Sequence, residues 1–334
     1  MSLRDEQFAL ARQCEAEGRQ DEARRLFAAI GDAEALTALG QNLLTRPPIE
    51  SYEGVKTIVE AANMGGAEAI HLCGTMAALG SGLSQNWSMA LDCVQAGAER
   101  GWTPAQDVLR LLAKAPGDGW KALRDGVDID ALTIPGSLRT VHAAPRISIA
   151  ERFLPPSLCD WLVARGIPKL ERATTFQAAQ GAVDNSRSNS AAEFHFAEID
   201  LVLALIRTRI AKLTGLPLRG LENTQILHYA VGQHFAPHYD WLDPANPAVA
   251  QNLAEAGQRR ATFLIYLNDD FDGAETSFLK LDWRYRGQKG DAILFWNVDE
   301  SGAIDRSTLH AGLAPSRGEK WLLSQWIRLP PASP

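Results

Sequence analysis

Tyr229-Ala230-Val231-Gly232-Gln233-His234-Phe235-Ala236-Pro237-His238-Tyr239-Asp240 is the most informative dozen residues of the chain. A β-like run ends at Tyr229, Gly232 offers a turn, and a second extended run closes on His-x-Asp. On a strand, residues two apart face the same side. His238 and Asp240 are therefore expected to present an imidazole nitrogen and a carboxylate to one point.

A second imidazole follows at His310, within Ser307-Thr308-Leu309-His310-Ala311-Gly312. Two histidines and one carboxylate on one face of a metal leave open positions for other ligands, the arrangement preferred by non-haem Fe(II) oxygenases. A lone His-x-Asp arises by chance in a chain this long. Its company gives it weight. Ten residues after His310 comes Lys320, between Gly318 and the apolar run Trp321-Leu322-Leu323. That setting turns the lysine inward, and a buried ammonium requires an anion.

Working outward, short β-like runs at 225–229, 262–267, 276–278, 292–296 and 321–327 are separated by Gly and Asp clusters. Ahead of them, 147–153 reads as a strand. Pro155-Pro156-Ser157 opens a helix with Ser157 as a candidate N-cap, and 199–213 is a strongly apolar helix. The expected fold class is α+β, with the strands closed into a double-sheet jelly roll (a double-stranded β-helix) carrying supporting helices. The stretch 174–196, rich in Ala, Ser and Asn, reads as an active-site lid.

The first third has a different texture. Residues 1–115 carry helix-period patterns and little strand signal. Gly31-Asp32-Ala33-Glu34-Ala35-Leu36 is echoed 34 residues on by Gly65-Gly66-Ala67-Glu68-Ala69-Ile70, Leu39-Gly40 returns as Cys73-Gly74, and a looser copy begins at Gly101. Small residues at fixed places let paired helices approach closely. These positions resemble Sel-like, tetratricopeptide-like repeats. The resemblance implies an α-helical repeat domain over 1–115 that binds a protein partner or braces its neighbour, a linker over 116–145, and a second domain over 146–330.

Composition excludes several classes. The 334 residues are 46% hydrophobic and 22% charged, ordinary for a globular protein. A net charge of −7 disfavours nucleic-acid and anionic-membrane partners. No apolar run is long enough to span a bilayer, and the polar start Met1-Ser2-Leu3-Arg4-Asp5-Glu6 does not read as a secretory signal. Four cysteines without a metal or disulfide spacing fit a reducing compartment, so a cytoplasmic location is expected.

Residues 146–328 resemble the prolyl 4-hydroxylase-like branch of the Fe(II)/2-oxoglutarate dioxygenases. The matching elements come in order: Tyr229-x-x-Gly232-Gln233, His238-x-Asp240, Thr262-x-x-x-Tyr266-Leu267-Asn268, Gly273-Ala274-Glu275-Thr276-x-Phe278, Lys289-Gly290-x-Ala292-x-x-Phe295, His310 and Gly318-x-Lys320-Trp321. The resemblance implies that His238, Asp240 and His310 hold Fe(II). Lys320 would pair with the far carboxylate of 2-oxoglutarate, helped by Tyr229 and Thr276. Arg259, Trp326 and Arg187 would face the substrate. The implied reaction consumes O2 and 2-oxoglutarate, releases succinate and CO2, and hydroxylates a prolyl or proline-like residue in a peptide or protein, with ascorbate as reductant. Two departures weaken the substrate assignment: Phe235 stands where peptidyl-proline hydroxylases carry tyrosine, and the Gly-Gly turn reads Gly273-Ala274. Hydroxylation of a free or tethered amino acid stays open, as does a non-catalytic peptide-binding module.

Overall fold

The structure, a computed structural model, describes residues 2–81, 84–114, 117–173 and 186–329. Among the described residues nine helices come first: α1 Leu3–Ala16, α2 Gln20–Ile30, α3 Ala33–Thr45, α4 Ser51–Asn63, α5 Ala67–Leu79, α6 Trp87–Glu99, α7 Thr103–Leu112, α8 Trp120–Asp125 and α9 Ile129–Thr133. Then come β1 Arg139–His142, β2 Ile147–Ala150, α10 Pro156–Gly166, β3 Glu171–Arg172, β4 Ser190–Phe194 and α11 Leu201–Thr214. The remainder is β5 Thr224–Tyr229, β6 Phe235–His238, α12 Ala250–Ala256, β7 Arg259–Tyr266, β8 Phe271–Gly273, β9 Thr276–Phe278, β10 Trp283–Tyr285, β11 Ala292–Trp296, β12 His310–Gly312, β13 Pro315–Gly318 and β14 Lys320–Arg328. No described helix is long and apolar enough to cross a membrane.

The chain forms two compact units, Met1–Thr133 with His195–Thr208, and Ile134–Phe194 with Arg209–Pro334. In the first, the echoed segments are helix starts. Gly31, Gly65 and Gly101 adopt left-handed φ of 67°, 89° and 81° directly before α3, α5 and α7. The small residues bring helices together: a Cβ on Gly40 would lie 2.5 Å from Ile58 of α4, and one on Gly74 would lie 2.9 Å from Cys93 of α6. Two apolar clusters fill this unit, one around Ala23, Phe27 and Ala38, the other around Leu36, Ile58, Leu72 and Met76. Residues 116–145, expected as a linker, hold α8, α9 and β1 among the described residues.

The second unit is built on antiparallel sheets. Eight strands run in the order β1-β2-β11-β7-β14-β5-β4-β3, and four in the order β10-β9-β12-β6. A small pair, β13-β8, completes them. Inward residues of both large sheets share one core, including Leu227, Tyr229, Leu264, Tyr266, Phe278, Phe295 and Leu322. Alternation along β7 and β14 points Leu264, Tyr266 and Leu322 into that core.

Three local expectations are corrected. Pro155, not Ser157, occupies the N-cap of α10, and no side chain caps that end; Pro156 at the first helical position lacks the N–H a cap would serve. β6 ends at His238, so Asp240 stands just past the strand instead of two along it. Of the expected lid, 174–185 lies outside the described residues, whereas Ser190–Phe194 is β4, paired with β5.

Candidate active site

Strand pairing assembles the site. In the four-stranded sheet, β6 and β12 run antiparallel with His238 directly opposite His310. The ring centroids are 4.3 Å apart. Asp240 reaches between them: its Oδ1 lies 3.6 Å from His238 Nε2 and its Oδ2 3.5 Å from His310 Nε2. The ligand atoms of all three lie within 4.8 Å of one another, the one such His/Cys/Asp/Glu group among the described residues. Donors on adjacent positions of a metal, each about 2.1 Å from it, stand about 3 Å apart. The group is therefore slightly more open than a metal would draw it.

The tautomers suit metal binding. His238 Nδ1 bonds the Ala236 carbonyl at 2.8 Å, and His310 Nδ1 bonds the Thr308 carbonyl at 3.0 Å. A carbonyl only accepts, so each Nδ1 carries a proton, and each Nε2 is the nitrogen turned to the shared point. Burial, followed by the neighbouring His310, pushes the His238 imidazole down to about 3, against the pull of Asp240. Burial by itself would raise the Asp240 carboxyl. His310, His238 and the Thr262 hydroxyl outweigh it and hold the group below the usual carboxylate range. Two imidazoles and a carboxylate are the donor set of a divalent metal site.

A narrow cavity leads from this cluster. Arg187, Tyr229, Phe235, Thr276, Gly312, Lys320, Ser324 and Trp326 line it together with His238, Asp240 and His310. Lys320 is fully buried. Its partner across the β14–β5 ladder is Tyr229. Its Nζ donates to the Ala274 carbonyl at 2.6 Å, and burial pushes the ammonium down to about 7, with Glu275 opposing. Ala274 adopts a left-handed φ of 57°, uncommon for a residue with a side chain, and thereby aims its carbonyl at Lys320. Burial raises the Tyr229 phenol to about 12, so its hydroxyl keeps its proton. Thr276 Oγ1 lies 3.0 Å from the Tyr266 hydroxyl.

The residues expected to face the substrate divide. Arg187 is buried, donates to Asn189 at 2.9 Å and lies 4.5 Å over the Phe235 ring. Phe235 itself stacks on His238 at 3.5 Å and 12°. Trp326 lines the cavity, and its buried indole N–H has no partner among the described residues. Arg259 stands beside the site, not on the cavity wall. It forms a forked pair with Glu222 at 2.7 and 2.9 Å, covers Trp326 at 3.6 Å and donates to the Asp240 backbone carbonyl at 3.3 Å. Residues given no role from the sequence also appear. Thr262 donates to Asp240 Oδ2 at 2.7 Å and accepts from Asn297 at 3.0 Å. Thr262 opens the Thr-x-x-x-Tyr-Leu-Asn run, the one signal that marked it in advance.

Residues 224–328 match the family model described as the 2OG-Fe(II) oxygenase superfamily. The chain is 31% identical over 205 residues to probable prolyl 4-hydroxylase 10 of Arabidopsis thaliana, an alignment spanning 55% of this chain and 69% of that protein. Prolyl 4-hydroxylase 5 of the same plant is 32% identical over 206 residues, with 55% and 69% covered. Among solved structures, the viral collagen prolyl hydroxylase vCPH of Paramecium Bursaria Chlorella virus-1, in a 2OG complex, is 28% identical, with 55% of this chain and 96% of that one covered and a TM-score of 0.43. Sequence likeness of this extent, over a segment that contains the whole His-Asp-His cluster and Lys320, makes the chain a member of the prolyl 4-hydroxylase-like 2OG-Fe(II) oxygenases, dioxygenases that use Fe(II), 2-oxoglutarate and O2.

Proposed function

We propose that this dioxygenase hydroxylates a prolyl or proline-like residue of a peptide or protein. His238, Asp240 and His310 hold the iron, and Lys320 and Tyr229 hold 2-oxoglutarate. The observation that carries this reading is the pairing of two chemistries in one cavity, a two-imidazole, one-carboxylate cluster and a fully buried lysine. A buried ammonium is stabilised by an anion brought into contact with it, and the far carboxylate of 2-oxoglutarate supplies one. Thr276, which lines the same cavity, is assigned to that end. Iron bound here supplies the oxidising chemistry. The protein's own part is to hold the target C–H in place and exclude water. Arg187 and Trp326, on the cavity wall, and Arg259 beside it are assigned to the substrate end. The prolyl substrate rests on the relatives, which are named prolyl 4-hydroxylases.

The catalytic domain is assigned to 146–330. Helices α1–α7 are assigned to Sel-like, tetratricopeptide-like hairpins that bind a protein partner, on the strength of the left-handed glycines before α3, α5 and α7 and the close approaches at Gly40 and Gly74. The four free cysteines favour the cytoplasm.

The test is incubation of the full chain with Fe(II), 2-oxoglutarate and O2 against proline-containing peptides and, separately, free amino acids. Succinate should form in step with the gain of one oxygen atom on a peptidyl proline. Turnover of free proline or pipecolate alone would move the assignment to small-molecule hydroxylation. No substrate-driven succinate with any of them would refute it.

A further inference from the structure

The His-Asp-His cluster is tied to an interior polar chain. Asp240 Oδ2 accepts a hydrogen bond from Thr262 Oγ1 at 2.7 Å. Thr262 Oγ1 in turn accepts from Asn297 Nδ2 at 3.0 Å. The direction is fixed by chemistry. A carboxylate only accepts, so the threonine proton points at Asp240, and its oxygen is then free for the one group of Asn297 that donates. Thr262 and Asn297 are both fully buried, and Asp240 is nearly so. The Asn297 side-chain oxygen has no hydrogen-bond partner among the described residues, so the amide's tie to this interior runs through its donor side.

The frame holding the chain is rigid. Thr262 lies in the middle of β7, paired with Phe295 of β11 and with Trp326 of β14. Asn297 follows β11 directly. Its backbone N–H donates to the Arg260 carbonyl at 2.8 Å, and its own carbonyl accepts from Asp305 at 3.0 Å. Asp240, by contrast, stands beyond the end of β6, where no ladder fixes it. Of the three members of the cluster it alone depends on side-chain contacts for its aim. His238 and His310 are held by their own strands and by the carbonyls of Ala236 and Thr308.

We propose that Thr262 and Asn297 are positioning residues for the metal site. They set the rotation of the Asp240 carboxylate so that its two oxygens face the two Nε2 atoms before a metal arrives. This deepens the functional reading above and rests on it. Outer partners of metal ligands typically govern metal affinity by about 10–100-fold. Thr262→Val keeps the shape and removes the hydroxyl. It leaves the carboxylate free to turn and strands the Asn297 donor. Thr262→Ser restores the hydroxyl. Asn297→Leu removes the donor at similar volume and tests the outer link.

The experiment is direct anaerobic titration of the folded full-length protein with Fe(II), by calorimetry, beside thermal melts without metal. Thr262→Val should raise the Fe(II) Kd by at least about tenfold, Asn297→Leu by several-fold, and Thr262→Ser by less than about threefold. A merely structural role would lower the melting temperature of Val and Ser variants alike and leave the Kd of the folded fraction unmoved. The proposal falls if Thr262→Val or Asn297→Leu binds Fe(II) like the wild type, or if Ser is no better than Val. If the folded wild type itself takes up no Fe(II), the functional reading falls with it, and His238→Ala, run alongside, separates the two failures.

Discussion

His238 and His310 are direct cross-strand partners on β6 and β12, with ring centroids 4.3 Å apart. Their mutual placement is therefore a property of the sheet, and loss of either ring leaves the ladder's hydrogen bonds in place. His310→Ala, His238→Ala and Asp240→Ala should each fold. Each should abolish the visible charge-transfer band that anaerobic Fe(II) and 2-oxoglutarate give with the wild type. Their loss of turnover should exceed the 10–100-fold typical of an outer partner. A band that persists in His310→Ala would remove that residue from the ligand set.

Lys320 gives a pH signature. Burial holds its ammonium at about 7 before any anion binds, and an entering carboxylate raises it again. Below pH 7 the lysine is protonated in both states, so 2-oxoglutarate affinity is flat. Above pH 7 binding must take up a proton, and affinity falls by up to about tenfold per pH unit. Titrations between pH 6 and 8.5 in two buffers of different ionisation enthalpy measure that uptake. Lys320→Ala should lose the pH dependence and raise the KM for 2-oxoglutarate at least about tenfold, the scale of a buried charge-assisted hydrogen bond. A pH-independent KM in the wild type would show that the ammonium is not the anion's partner.

Phe235 lies between two cavity groups. Its ring stacks on His238 at 3.5 Å, and the Arg187 guanidinium sits 4.5 Å from its centroid. Two such ring contacts contribute about 1–2 kcal/mol beyond the buried area. Phe235→Leu should therefore lower the melting temperature by several degrees and weaken Fe(II) a few-fold through His238. Phe235→Tyr keeps the ring and should leave Fe(II) binding within about twofold, while changing the KM for a peptide substrate. Equal metal affinity in Leu and wild type would mean the stacking does not steer His238.

The legible part of the site consisted of residues whose chemistry demands rare company. His238, Asp240, His310 and Lys320 stand in a fixed order along the chain, and an inward lysine followed by Trp321-Leu322-Leu323 has few structural uses. Thr262 and Asn297 were illegible as a pair, because a threonine in one strand and an asparagine after another look like ordinary β-sheet residues until register places them 3.0 Å apart. Asp240 was expected on the strand by alternation, but β6 stops at His238 and side-chain bonds take over. The helical texture of residues 1–115 followed from helix-period patterning and from local Gly and Ala spacing. The grouping of His195–Thr208 with the first unit is a long-range packing outcome that no local pattern encodes.

Glu222 was equally silent in the sequence, a single acid before a strand. In the fold its Oε1 accepts from Arg259 Nε at 2.7 Å and from Arg328 Nε at 2.6 Å, and Arg328 also donates to the Gly257 carbonyl at 2.8 Å. Two guanidiniums share one mostly buried carboxylate, so removal of the acid leaves both without their counter-charge. Glu222→Ala should cost about 3–5 kcal/mol of stability, read as a fall in melting temperature. Burial would raise the Glu222 carboxyl, but Arg259 and Arg328 outweigh it and hold it below the usual range. Its native value is thus lower than its unfolded one. The stabilisation is complete above the ordinary glutamate value of about 4.3 and is lost as pH falls through the lower native value. Because Arg259 also covers Trp326 at 3.6 Å, Glu222→Ala frees that arginine at the rim of the cavity. Peptide KM should then change together with stability, whereas kcat at saturating 2-oxoglutarate should hold. A Glu222→Ala protein as stable as the wild type across pH 3–8 would show that the triad is solvated and that Arg259 is held by something else.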